Sequence, residues 1–106
     1  MTPFSQLFFA YSTLKDSKIR DKVLGRHVEG AKAILPGYKK LYDSGKYAYL
    51  QKVTSLAPVS VAGEVYELTD SDLARLKAWE TTYDLIKVRL GDGRMAYTFE
   101  RKSHEE

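Results

Sequence analysis

Glu80 is the side chain whose placement first suggests chemistry. Each helical residue advances about 100° around the axis, so Leu73, Leu76 and Glu80 fall within about 60° of one another on an apolar face. Burying an ionised carboxylate costs several kcal/mol unless it is paired or its pKa rises. Two interpretations follow. Glu80 is either a helix-end residue that turns to solvent or pairs with a Lys or Arg, or a desolvated general base with a pKa raised toward neutrality.

A strand end near the N-terminus is the second chemical feature. Leu7–Leu14, LFFAYSTL, begins with five apolar residues and ends in a small polar turn. A strand that stops at Tyr11-Ser12-Thr13 leaves backbone N–H groups free at its end, and such groups hold anionic or carbonyl ligands. An enzyme would need this strand end and Glu80 to meet.

Other polar side chains form weaker constellations. Ser12 lies outside any Gly-x-Ser-x-Gly turn, and neither His27 nor His104 has a spacing that indicates a catalytic triad. His27 is expected at the surface or at a strand end. His104 belongs to the polar tail Lys102–Glu106, which is expected to be loose and is a poor metal site. No metal site is predicted.

Two elements are predicted in the N-terminal part of the chain. Gln6–Ala10 is apolar on both faces, which indicates a buried strand. Lys15–Leu24 has the pattern of a short amphipathic helix, capped by Asp16 or Ser17 and ended by Gly25. Its basic residues are expected to form a solvated face.

The middle of the chain is strand-like. Three segments have this character: His27–Tyr42 with a turn or bulge at Pro36-Gly37, Tyr47–Leu56, and Val59–Leu68. In the last segment Glu64 points to the same side as Tyr66. Glu64 is therefore either a second cavity carboxylate or an edge or ion-pair residue.

The clearest local signal is a capping box. Thr69 can cap a helix, Asp72 can reach back to it, and Asp70 adds negative charge to the first turn. The elements predicted after it are a helix ending at Trp79–Thr82 and the strands Tyr83–Leu90 and Arg94–Arg101, joined by a tight turn at Gly91-Asp92-Gly93.

Consecutive runs of about six strands, with two helices, favour the α+β class. We expect a small, mostly antiparallel β-barrel with the two helices against it. The 106 residues fit a single domain, 1–106.

Composition excludes several classes of protein. The absence of cysteine removes disulfides and thiolate chemistry. A net charge of +3 is too small for a dedicated nucleic-acid binder, and no apolar run approaches the ~20 residues that span a bilayer. Met1–Gln6 lacks the pattern of a signal peptide, so a soluble, cytoplasmic protein is expected. Nothing indicates the oligomeric state.

Four short segments and one tyrosine occur in order between Leu7 and Phe99. They are Phe9–Lys15 (FAYSTLK), Tyr42–Tyr47 (YDSGKY), Gly63–Leu68 (GEVYEL), Asp72–Glu80 (DLARLKAWE) and Tyr83. In their joint order and spacing they resemble the gamma-glutamylcyclotransferase-like (AIG2-like) family. The resemblance implies a small β-barrel with flanking helices and a cavity floored by the loop after the first strand.

The resemblance also implies roles for individual residues. The family's loop amides hold the γ-glutamyl group, and this role carries over to Tyr11, Ser12, Thr13 and Leu14. The acid and base of the family corresponds to Glu80. Tyr83 and Tyr97 are expected as wall residues of the substrate site.

The implied reaction cyclises a γ-glutamyl amine or peptide to 5-oxoproline and releases the amine. The nucleophile is the substrate's own α-nitrogen, so no cofactor or metal is required. The sequence departs from the family pattern at Ser12, where glycine is usual, at Ala48, where proline is common, and at Leu85, where many members have arginine. Because Ser12 restricts φ and adds a side chain, a non-catalytic barrel that binds a small molecule or a protein is the alternative.

Overall fold

A five-stranded sheet, a two-stranded hairpin and two α-helices make up the computed structural model, which describes residues 6–45, 47–53 and 58–101. The elements in chain order are β1 (Gln6–Ala10), a 3-10 turn (Thr13–Lys15), α1 (Ser17–Leu24), β2 (Gly30–Pro36), β3 (Tyr38–Tyr42), β4 (Ala48–Lys52), β5 (Ser60–Leu68), α2 (Asp70–Trp79), β6 (Tyr83–Arg89) and β7 (Met95–Arg101).

Strand β1 lies in the middle of the large sheet. The strand order is β2-β5-β1-β7-β6, and every neighbouring pair is antiparallel except β1 and β7, which are parallel. Since both edges of β1 are paired, its C-terminal end opens in the centre of the sheet rather than at its margin.

The sheet has an apolar core on each face, as the apolar character of β1 predicts. Phe8 and Ala10 point to the helical side, where they join a cluster completed by Leu14, Leu24, Val28, Tyr66, Leu68, Leu73, Leu76 and Phe99. Phe9 and Tyr11 point to the other side, where the β3–β4 hairpin helps to enclose a second cluster: Leu35, Ala48, Leu50, Val61, Val65, Val88, Leu90 and Ala96.

Two glycine-containing contacts shape the sheet. The backbone N–H of Gly91 donates to the carbonyl of Ile34 at 2.8 Å, so the end of β6 meets the opposite edge strand β2. A Cβ atom at Gly63 would lie 2.3 Å from the carbonyl oxygen of Ala10. Only glycine therefore lets β5 pass this close to the end of β1.

The α+β class with flanking helices and a mostly antiparallel sheet is confirmed. The described residues form seven strands rather than about six, because Gly37, at φ 81°, divides the 27–42 segment into β2 and β3. The strand predicted over 47–56 is shorter, Ala48–Lys52, and residues 54–56 lie outside the described part, as does the tail Lys102–Glu106.

Helix ends follow the predicted capping chemistry. The Asp16 side chain accepts from Lys18 N at 2.9 Å, and Gly25 ends α1 with φ 73°. The capping box of Thr69 and Asp72 is confirmed at the start of α2. Helix α1 begins two residues later than predicted because residues 13–15 form the 3-10 turn.

The prediction that the basic residues of α1 form a solvated face is wrong for Arg20. Its side chain lies on the inner side of the helix with Leu24, and the residue is only 6% exposed. The short basic helix gave no indication of this burial. Neither α1 nor α2, the α-helices of the described residues, has the length and apolar character needed to cross a bilayer.

Candidate active site

A cavity of about 70 Å³ lies at the C-terminal end of β1 and opens to solvent on one side. Its described lining comes from four parts of the chain: Phe8–Leu14, Tyr47 and Ala48, Trp79, Glu80 and Tyr83, and Phe99. The strand end and Glu80, the two features that the sequence singles out, thus line one hollow.

Glu80 reaches the cavity because α2 ends there. Its N–H still donates to Leu76 O at 2.9 Å, but its own backbone has left the helical conformation, with φ −107° and ψ 101°. The side chain is half-buried, and Oε1 accepts from the backbone N–H of Thr82 at 3.0 Å. Within the described residues no Lys or Arg pairs with this carboxylate, so Oε2 is available to a ligand.

Two tyrosines stand beside Glu80 with their hydroxyl groups already engaged. Tyr11 donates to Phe99 O at 2.8 Å, and Tyr83 donates to Ala48 O at 2.7 Å. Burial is the main reason that the pKa of both phenols is raised above its ordinary range; Tyr83 and then Glu80 add to the shift of Tyr11, and Glu80 adds to the shift of Tyr83. Both stay protonated near neutral pH, and both lie in the wall of the cavity.

Residues 12–14, in the loop after β1, line the cavity. The 3-10 turn uses the N–H groups of Lys15 and Asp16, which donate to Ser12 O and Thr13 O at 2.9 and 3.1 Å. Within the described part of the chain, no protein acceptor pairs with the N–H groups of residues 12–14. These amides therefore keep hydrogen-bonding capacity for a ligand, and their anion-binding role stays a prediction.

Serine at position 12 is compatible with this turn. Ser12 has φ −147° and ψ −122°, so the loop does not impose the left-handed, positive-φ conformation that favours glycine. The residue is partly exposed at the cavity wall.

Three other predicted residues lie elsewhere. Tyr97 does not line the cavity: it pairs with Phe8 across β1 and β7, and its ring lies 5.3 Å from the ammonium of Lys87. Glu64 accepts a hydrogen bond from the hydroxyl of Tyr66 and is also absent from the described lining. His27 is exposed, as expected.

Two exposed aromatic residues of the lining escaped the sequence reasoning. Tyr47 is 67% exposed and Trp79 is 43% exposed, yet both border the cavity. Trp79 directly precedes Glu80, so the position of Glu80 at the helix end could have drawn attention to it. Tyr47 is brought to the cavity only by the packing of the β3–β4 hairpin.

Solved structures with this fold come from several sources. A solution structure of an Arabidopsis thaliana protein has a TM-score of 0.80 at 19% identity, over 94% of this chain and 64% of that one. A γ-glutamyl cyclotransferase has a TM-score of 0.76 at 18% identity, over 96% and 69% of the two chains. An AIG2-like protein of Mus musculus has a TM-score of 0.71 at 17% identity, over 95% and 80%. Identities this low show the fold alone, and the chain spans less than two thirds of the Arabidopsis protein.

Sequence comparison gives the family. Among curated proteins none matches the sequence significantly. The family described as "Gamma-glutamyl cyclotransferase, AIG2-like" matches residues 8–106, almost the full printed sequence. The protein therefore belongs to the gamma-glutamyl cyclotransferase, AIG2-like, family.

Proposed function

We propose that the protein cyclises a γ-glutamyl amine or peptide to 5-oxoproline and releases the amine. The observation that carries this proposal is the shared cavity of the Glu80 carboxylate and the free amides of residues 12–14. Membership of the family supports the reaction class.

The loop amides bind the polar oxygens of the γ-glutamyl group. N–H donors fixed by a 3-10 turn need little reorganisation when a ligand arrives, so they stabilise negative charge more effectively than water does. The apolar part of the lining, Phe8, Phe9, Leu14 and Phe99, surrounds the carbon chain of the substrate. A folded chain brings its α-nitrogen within reach of its γ-carbonyl carbon, which lowers the entropic cost of attack.

Glu80 carries the protons. Its carboxylate takes a proton from the substrate's α-ammonium, and the freed amine then attacks the γ-carbonyl carbon. The new C–N bond closes the five-membered ring while the bond to the departing nitrogen breaks. The α-nitrogen loses two protons in total and the departing nitrogen gains two, so the reaction consumes no water and leaves Glu80 ionised for the next cycle.

The direct test measures 5-oxoproline after incubation with γ-glutamyl dipeptides and with γ-glutamyl-lysine. The wild type should form product, and Glu80→Gln should not, at unchanged folding by circular dichroism. Asp84→Asn is the matched control, because Asp84 is an exposed carboxylate on β6 outside the described lining. Full activity in Glu80→Gln, or a wild type that binds these compounds without forming product, would overturn the proposal.

A further inference from the structure

Arg20 is a buried cation that the reaction steps above do not use. It lies on α1 and is 6% exposed. A guanidinium is always ionised, so its burial is unfavourable unless hydrogen bonds replace those lost to water. Its partners therefore indicate which interactions keep it inside.

The guanidinium contacts the loop that follows β1. Nη1 donates to Leu14 O at 3.1 Å and to Lys15 O at 3.3 Å, the last residues of that loop and its 3-10 turn. Nη2 donates to Val28 O at 3.2 Å. Backbone carbonyls are the acceptors in all three contacts, so Arg20 fixes the path of the main chain.

The same group is anchored to the sheet through Tyr66. Nη1 donates to the Tyr66 hydroxyl at 2.7 Å, and the guanidinium lies 4.2 Å from the centre of the ring. Tyr66 in turn donates to Glu64, the residue of β5 that pairs with Ala10 at the end of β1. These contacts connect the loop that follows β1 with Glu64, which pairs with Ala10, the last residue of β1.

The hydrogen bonds of Arg20 do not satisfy every donor of its buried guanidinium group. Its Nε is buried without a hydrogen-bond partner in the described residues. Glu64 contacts Tyr66 rather than the guanidinium itself. An apolar residue would fill this space without the desolvation penalty of a cation. Stability alone is a weak reason for this placement.

The loop is held at both ends. Tyr11 fixes its start through the hydrogen bond to Phe99 O, and Arg20 fixes its end at Leu14 and Lys15. The free amides of residues 12–14 lie between these two anchors. We infer that Arg20 is a positioning residue that aims the amides of residues 12–14 into the cavity. The inference rests on the proposed function for its kinetic consequence, but not for its structural one.

The first test compares Arg20→Met with Arg75→Met. Arg75 is the matched control, since its Nη1 also donates to a backbone carbonyl, in this case Leu24 O at 3.0 Å, away from the loop. At a temperature where both variants are folded, Arg20→Met should lower kcat/KM for γ-glutamyl substrates at least about tenfold, as misplaced amide donors do. Arg75→Met should retain wild-type kinetics. Arg20→Lys, which keeps a donor and the charge, should restore part of the loss.

The second test needs no turnover. In ¹H–¹⁵N spectra, Arg20→Met should shift the amide signals of residues 12–14, and hydrogen exchange at the hydrogen-bonded amides of Lys15 and Asp16 should become at least about tenfold faster. Arg75→Met should leave both unchanged. Tyr66→Phe, which keeps the ring but removes the hydroxyl, should give a smaller change of the same kind and serves if Arg20→Met fails to fold.

Wild-type loop signals in Arg20→Met and Tyr66→Phe would overturn the inference, as would wild-type kinetics in an active protein. A wild type that forms no 5-oxoproline defeats the proposed function instead. Because the spectra are recorded without substrate, they still test whether Arg20 positions the loop.

Discussion

The two ends of helix α2 each carry a carboxylate, and their surroundings differ sharply. At the N-terminal end Asp72 is buried and accepts hydrogen bonds from Thr69 N at 2.9 Å and from Arg26 at 2.5 and 3.3 Å. At the C-terminal end Glu80 is half-buried and has one backbone donor, Thr82 N. Asp72 is thus enclosed by partners, whereas Glu80 faces a cavity.

The helix itself reinforces this contrast. Its N-terminus favours negative charge and its C-terminus disfavours it. Asp72 therefore lies where a carboxylate stabilises the fold, and Glu80 lies where a carboxylate does not. The difference teaches that burial alone does not mark a catalytic acid. A site for chemistry needs a carboxylate with unfilled hydrogen-bonding capacity beside a space for a ligand.

The largest expected effect belongs to Glu80→Gln. Removal of the proposed general acid and base should lower the rate of 5-oxoproline formation about 10²–10⁴-fold. The free energy of unfolding should change by less than about 0.5 kcal/mol, because the variant removes a charge from an unfavourable helix end and keeps an acceptor for Thr82 N. Urea unfolding beside the product assay checks both values. A large loss of stability would contradict the contrast between the two ends.

Asp72→Ala should give the opposite result. It removes the capping box and leaves Arg26 without its acceptor, so the free energy of unfolding should fall by about 2–3 kcal/mol. Activity per folded molecule should stay near that of the wild type, because Asp72 is absent from the described lining. The matched control is Asp70→Ala, an exposed acidic residue of the same turn, with an expected loss of a few tenths of a kcal/mol.

This contrast also marks the limit of sequence reasoning. The capping box and the strand Gln6–Ala10 follow from local rules, and the structure has both at the predicted residues. The helix projection singles out Glu80 and the apolar strand singles out residues 11–13, the family resemblance adds their roles, and the structure brings them to one cavity. Arg20 could not be found in this way. Its burial depends on Tyr66, a partner 46 residues away, and the pattern of α1 contains no trace of that contact.

The placement of Tyr97 and Tyr47 has the same physical origin. Tyr97 lies on β7, and only the parallel pairing with β1 sets it level with Phe8 rather than with the end of the strand. Tyr47 borders the cavity because the β3–β4 hairpin packs across the sheet. Both positions follow from long-range pairing, which single-residue patterns do not encode.

The loss of stability at acid pH gives a further test of the stabilising role of Asp72. Burial by itself raises the pKa of the Asp72 carboxyl, but hydrogen bonds from Arg26 and Thr69 outweigh it and hold the pKa below its ordinary value of 3.8. A carboxyl with a lowered folded-state pKa contributes stability above its unfolded-state pKa. That contribution is lost as the pH falls through the folded-state value. Between about pH 4 and pH 2, Asp72→Ala should therefore lose less stability than the wild type in urea unfolding.

Thr69→Ala should destabilise the protein less than Asp72→Ala does. It removes the side chain that accepts from Asp72 N at 3.1 Å but keeps the Arg26–Asp72 ion pair, so the expected loss is about 1 kcal/mol. Thr69 and Asp72 share one capping box, and their losses should not add: the double variant should be more stable than the sum of the single losses predicts, by about 0.5 kcal/mol or more. Strict additivity would mean that the two hydrogen bonds of the capping box act independently, and would contradict this prediction.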